Sequence, residues 1–221
     1  MAASRPNHRR IRIHMVLESR MLAEAASVRL KSLLPGTSVV GWTRSWDVYQ
    51  HRQQSVADVV ILDNELTNGV PTPAKVAALV VETTGVVVLG STTYGPAIQR
   101  LLDAGAHSYV LASDPSETLA AAVDSAFRSE PHRSAAVLQL LAGQEPPRVS
   151  ELTRRELEVV GAYISGSGAS VPETAARFGI SVETVRTHIS HARRKYSDGP
   201  TDPISKMELR RRMIRDGWIA G

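Results

Sequence analysis

The stretch ARFGISVETVRTHISHARRKY, residues 176–196, sets hydrogen-bonding side chains at helical spacing just before a basic run. On a helix beginning at Val182, residues Val185, Ile189 and Ala192 share one face, while Glu183, Arg186, Thr187, Ser190 and Arg194 share the other. An arginine in such a row can hold guanine by two parallel hydrogen bonds in the major groove. Threonine and serine can pair with base edges or phosphate. Arg186, Thr187 and Ser190 are therefore candidate base readers, and the run Arg193, Arg194 and Lys195 is placed for the phosphate backbone. The competing reading is an ordinary charged amphipathic helix inside a small bundle.

A second position that could do chemistry is Asp63, the last residue of the apolar run VVILD. In an open α/β sheet the functional crevice lies at the carboxyl ends of the strands, and a carboxylate there can act as ligand or nucleophile. The following DNELT, residues 63–67, loosely imitates the aspartate-led motif of haloacid-dehalogenase phosphatases. That motif should open the fold and carry an aspartate two residues on, whereas this one follows a third strand and offers Glu65. The phosphatase reading is a remote alternative.

These positions need particular elements to hold them. IRIHMVL, TSVVG, ADVVILD, GVVVLG and HSYVL read as five short strands, separated by helices near 20–33, 46–54, 72–82, 96–104 and 115–128. Near-continuous apolar strands alternating with helices imply a doubly wound five-strand parallel sheet covered on both faces. Proline and glycine in SEPHR and GQEPPRVS mark residues 129–150 as a linker, with one short helix in AAVLQLLA. After residue 150 the periodicity is helical throughout. Thr153 with Glu156, Ser170 with Glu173 and Ser205 with Glu208 have capping-box spacing, and Ser181 is a fourth cap. Four helices follow, near 153–165, 171–178, 182–196 and 205–216, the last closed by Gly217. The middle pair, joined by GIS, has helix-turn-helix grammar: Gly179 can take the left-handed conformation that ends one helix, and Ser181 starts the next.

The fold class is thus α/β plus all-α, with a basic tail at 1–10, a sheet domain at 11–128, the linker at 129–150 and a helical domain at 151–221. Charge follows this division. Residues 1–12 carry four Arg and no acids, residues 13–147 have a net charge of −4, and residues 148–221 have +4. Clustering of the last charge into Arg193–Lys195 and Arg210–Arg215 suits a polyanion partner. The absence of cysteine excludes a disulfide framework and thiolate zinc sites. No apolar signal-peptide core or membrane-length run is visible, so a cytoplasmic protein with no membrane partner is expected. The seven histidines form no defensible metal site; His188 and His191 lie one turn apart without a third ligand. Trp42, Trp46 and Trp218 are too scattered for a stacking platform and are expected in the cores.

With these elements in place, the chain resembles the two-component response regulators with a LuxR-type (NarL-like) DNA-binding domain, over nearly its whole length. LTRRELEVV looks like the opening helix, and ETAARFGISVETVRTHISHARRKY is similar to the family's scaffold and recognition helices. The resemblance implies base contacts from Arg186, Thr187 and Ser190, with Thr184, Arg193 and Arg194 on phosphate or flanking positions. The ending KYSDGPTDPISKMELRRRMIRDGWI looks like an actinobacterial branch, in which the last helix also helps to dimerise the domain. One departure is SGSGASVPE, about two residues longer than usual between the first two helices of this domain.

The sheet domain is similar to receiver domains in order and length, but three of five functional positions depart from them. A working receiver needs two acids after its first strand for magnesium, an aspartate nucleophile after the third, a hydroxyl after the fourth and a lysine after the fifth. Here these positions hold Leu17 and Glu18, Asp63, Gly90 with Ser91 beside it, and Ala112. Glu18 and Asp63 form a vestigial acidic pocket, and no metal or other cofactor is expected. Asp63 is either a phosphoacceptor or a relic that caps the following loop. The expectation is a sequence-specific transcription regulator, not an enzyme, that acts independently of aspartyl phosphorylation, binds double-stranded DNA at two half-sites as a homodimer, and has RNA polymerase as a candidate partner. The alternatives are a conventional regulator phosphorylated at Asp63 and a receiver-like sensor of a small molecule.

Overall fold

The computed structural model describes residues 10–51, 57–66, 70–81, 84–142, 152–165, 169–197 and 204–219. The chain divides into two compact units, the first covering 1–68 and 72–142 and the second 69–71 and 143–221.

In the first unit, strands β1 (Arg12–Val16), β2 (Ser38–Thr43), β3 (Val59–Asp63), β4 (Gly85–Gly90) and β5 (Ser108–Leu111) form one parallel sheet of order β2-β1-β3-β4-β5. Their β-branched side chains suit a pleated surface buried on both faces, and every residue of β4 is buried. Helices α1 (Arg20–Leu33), α2 (Trp46–His51), α3 (Thr72–Val81), α4 (Gly95–Asp103) and α5 (Ser116–Phe127) cover them. Ser19 caps α1 by accepting the Leu22 amide at 3.2 Å. Ile13, Met15, Ile61, Val87 and Val110 face α1 and α5 in one core. The order reverses at β1, whose neighbours are β2 and β3, so the crevice expected of such a sheet opens between the ends of β1 and β3.

The linker expected at 129–150 needs correction at its start. Helix α6 (Ala135–Ala142) packs on α4 and β5, with Val137 fully buried. The chain leading into it runs beside β5: the His132 amide donates to the His107 carbonyl at 2.9 Å, and Ser108 Oγ donates to the His132 carbonyl at 3.1 Å. The edge of β5 is met by the chain at His132 and the apolar face of α6 by α4 and β5, which the prolines and glycines around them conceal. The remainder of the expected linker, and residues 166–168 of the stretch SGSGASVPE, lie outside the described residues.

In the second unit, α7 (Arg154–Ile164), α8 (Val171–Phe178), α9 (Val182–Tyr196) and α10 (Lys206–Arg215) enclose Val159, Val160, Val185, Ile189, Leu209 and Met213. The boxes at Thr153/Glu156 and Ser170/Glu173 are reciprocal, as their spacing predicts. At the third, Ser205 accepts the Glu208 amide at 3.1 Å, but the Glu208 carboxylate turns to Arg211 and Arg212, so only half the box forms. Gly179 has φ +60° and ψ +35°, the left-handed conformation that closes α8 and lets α9 start at a new angle. Among the described residues no helix is long and apolar enough to cross a membrane.

Candidate functional site

Helix α9 buries Val185, Ile189, Ala192 and Tyr196 and leaves Thr184, Arg186, Thr187, Ser190 and Arg194 exposed. Ser181 fixes its start by accepting the Thr184 amide at 3.0 Å, and the two hydroxyls lie 2.8 Å apart. Arg186 is held loosely, 3.4 Å from Glu183 on an open surface, where an ion pair contributes little and yields readily to a better partner. Thr187 donates its hydroxyl proton to the Glu183 carbonyl at 3.0 Å, so toward solvent it presents acceptor lone pairs. The row is a continuous exposed strip on a helix whose opposite face is locked in a core.

Four basic residues are paired or partly buried in this structure. Lys195 donates to Glu156 at 2.7 Å, and that carboxylate is only 6% exposed. The Lys195 ammonium is engaged by that carboxylate, which, being buried, is stabilised by a counter-charge. In the arginine-rich run of α10, Arg211 and Arg212 pair with Glu208, and Arg212 also donates to the Tyr196 carbonyl at the end of α9. Arg193 is half-buried, which leaves Arg194 as the open member of its run.

Glu156 itself was legible only as a capping residue. Its carboxylate accepts the Thr153 amide at 2.8 Å, Lys195 at 2.7 Å and lies 3.6 Å from His191 Nδ1, so it ties the start of α7 to the far half of α9. Burial opposes ionisation, but Lys195 and the Thr153 amide outweigh it, and the carboxyl sits below the ordinary carboxylate range. His191 thereby has a packing partner, which accounts for it without a metal.

At the sheet ends of the first unit, both Asp63 oxygens are engaged by backbone. Oδ1 accepts the Glu65 amide at 2.8 Å and Oδ2 the Glu18 amide at 3.3 Å. Glu65 in turn accepts the Ser91 amide at 3.3 Å. Asp63 therefore caps its own loop. Leu17, at the expected second acid, is fully buried. Among the described residues no group of three His, Asp or Glu could hold a metal, and this donor set does not fit the magnesium of a working receiver.

Gly90, at the expected hydroxyl, has no room for a side chain: a Cβ there would sit 2.7 Å from Tyr109 Oη and 2.8 Å from Asn64 Cβ. Tyr109 is fully buried and donates its hydroxyl to the Thr92 carbonyl at 3.1 Å. Burial, reinforced by the negative charge of Glu65, pushes its phenol up. Ala112, at the expected lysine, is exposed.

Sequence reasoning missed Lys75, a fully buried lysine on α3 whose Nζ donates to the Leu66 carbonyl at 3.1 Å. Burial lowers its pKa to about 8, against the opposing pull of Asp47 and Asp63. A lone lysine inside TPAKVAALVV was the available signal. Trp46 is buried and Trp42 and Trp218 are half-buried; Trp42 donates to the Leu17 carbonyl at 3.0 Å.

Comparison with known proteins accords with this arrangement. The family model Sigma-70, region 4 matches residues 149–195, which include α7, α8 and all but the last residue of α9. The response regulator RamR of Streptomyces coelicolor is 33% identical over 141 residues, 63% of this chain and 66% of its own length. The response regulator protein VraR of Staphylococcus saprophyticus is 30% identical over 109 residues, 48% of this chain and 51% of its own. The chain thus spans about half to two thirds of the curated relatives it matches. Among solved structures, RcsB from Salmonella enterica serovar Typhimurium bound to promoter rprA has a TM-score of 0.63 at 15% identity, covering 92% of this chain and 98% of that one. The response regulator ChrA of a heme-sensing two-component system has a TM-score of 0.51 at 23% identity, covering 93% and 98%. These structures share the fold, a five-strand receiver-like sheet domain followed by a helix-turn-helix domain. The curated relatives are response regulators, and the solved structures share the fold of this chain.

Proposed function

We propose that the chain is a sequence-specific DNA-binding transcription regulator, cytoplasmic, dimeric on DNA and without enzymatic activity, whose receiver-like unit works independently of aspartyl phosphorylation. The observation that carries the DNA-binding part is the exposed strip Thr184, Arg186, Thr187 and Ser190 on a helix anchored by its other face. RcsB has been seen as two dimers bound to two parallel DNAs, and this chain shares its fold. One short recognition helix spans too few base pairs for gene-level specificity, so two half-sites are needed. Support for phosphorylation independence comes from Asp63, whose oxygens hold backbone amides, and from Gly90, against which Tyr109 is packed.

The test is selection of binding sites from random duplexes with the full chain, followed by Arg186→Ala. Losing a bidentate arginine–guanine pair should cost roughly 1–3 kcal/mol at one operator position and relax specificity there. Equal weakening on every duplex would remove Arg186 from base reading.

A further inference from the structure

A groove of about 730 Å³ lies at the outer edge of the sheet, between α1, the end of β2 and α2. Its volume is that of a small-molecule site. Val28, Val39, Trp42 and Val48 supply apolar lining, and the fully buried Met15 closes it on the sheet side. Val28 and Val48 remain 68% and 44% exposed, apolar surface left in water beside a concavity.

The polar groups around this groove are almost all engaged. Arg20 pairs with Glu24 at 2.8 Å, the Thr43 hydroxyl lies 3.3 Å from His14 Nε2, and the Trp42 indole N–H is held by the Leu17 carbonyl. Arg44 differs: it is exposed and has no hydrogen bond or ion pair among the described residues. Since Arg20 and Glu24 offset each other, the groove presents apolar walls and one uncompensated guanidinium.

We propose that this groove binds a small amphipathic anion, its apolar body against Trp42, Val39 and Val28 and its carboxylate or similar head on Arg44. A guanidinium suits this task because its planar fork meets a carboxylate with two parallel hydrogen bonds and sheds water more easily than an ammonium. The proposal concerns the first unit alone and stands whether or not the chain reads DNA.

The experiment is calorimetric titration of the full chain with decanoate, with decanol as the neutral control. Saturable decanoate binding is expected. Arg44→Glu should weaken it at least about tenfold while changing decanol binding by less than about twofold. Ser27→Phe, which brings a ring to the groove from α1, should weaken both. Thermal melts of the variants that match the parent keep lost binding distinct from lost folding, and if Ser27→Phe melts early, Arg44→Glu alone decides. Three results would overturn the proposal: no saturable decanoate binding, binding indifferent to Arg44→Glu, or sedimentation in which these substitutions split a dimer while decanoate never binds, which would give the groove to a second copy of the chain.

Discussion

Glu156 shows how one residue can hold a recognition surface without touching it. Its carboxylate is nearly enclosed and is shared between the Thr153 amide and Lys195. Lys195→Met should leave a buried charge unpaired and cost about 1–3 kcal/mol in the second unit. The salt slope of DNA binding should hardly move, whereas Arg194→Ala should lower it by about one unit. Melts and binding titrations at several salt concentrations separate the two effects; a slope change with Lys195→Met and none with Arg194→Ala would reverse the assignment. The pH dependence follows from the direction of the Glu156 shift. Its folded-state pKa lies below the unfolded value, so the contribution is complete above the ordinary carboxylate range and is lost as pH falls through the folded value. Acid melts of parent and Lys195→Met should therefore converge as that carboxyl is protonated. Gly90 gives a second residue-scale test. Gly90→Thr restores a hydroxyl but drives its Cβ into Tyr109 and Asn64, and should destabilise the first unit by about 1–3 kcal/mol. An unchanged melt would show that Tyr109 yields.

At the scale of elements, the two units use different grammars to position their sites. Helices α7, α8 and α9 are punctuated by side-chain caps and one left-handed glycine, so their starts and crossing are fixed locally. Helix α6 also has a serine cap, Ser134 accepting the Val137 amide at 3.2 Å, but what fixes its place in the first unit is packing on α4 and β5 through Val137. Val137→Ala should lower the melting of the first unit, at a cost of about 1–3 kcal/mol, and leave the second unit's transition in place. Scanning calorimetry of the full chain reads both transitions. If only the second shifts, α6 belongs with the helical unit.

At the scale of the whole molecule, the proposed independence from phosphorylation rests on what surrounds Asp63 in the receiver-like unit. Phosphoryl transfer gathers charge that a metal and a cation must offset. Leu17 is buried where a metal-side acid would stand, Ala112 is exposed where the lysine would stand, and Asp63 holds backbone amides. A modification also needs differential energy between two conformations, and the Tyr109 contact with Gly90 offers no space for the usual one. Asp63→Asn keeps an acceptor for the Glu65 amide and should leave operator affinity and dimerisation unchanged, as should acetyl phosphate with magnesium. Operator titration and sedimentation velocity check both. A gain in affinity of about tenfold on phosphorylation, abolished by Asp63→Asn, would show that the site works.

The sequence by itself determined what is set by local chemistry. Short, near-continuous apolar runs gave the five strands, capping pairs gave the starts of α7 and α8, and Gly179 with Ser181 gave the turn into α9, because each signal acts within a few residues of chain. The outward row of α9 followed from helical spacing alone. Tertiary structure decided the partners. Nothing near Lys195 in sequence says that it faces Glu156, 39 positions away. No local rule explains why Gly90 is glycine until Tyr109 is seen against it. Lys75 and α6 were misread or missed for the same reason: burial is a property of what packs on a residue, and those neighbours come from distant parts of the chain.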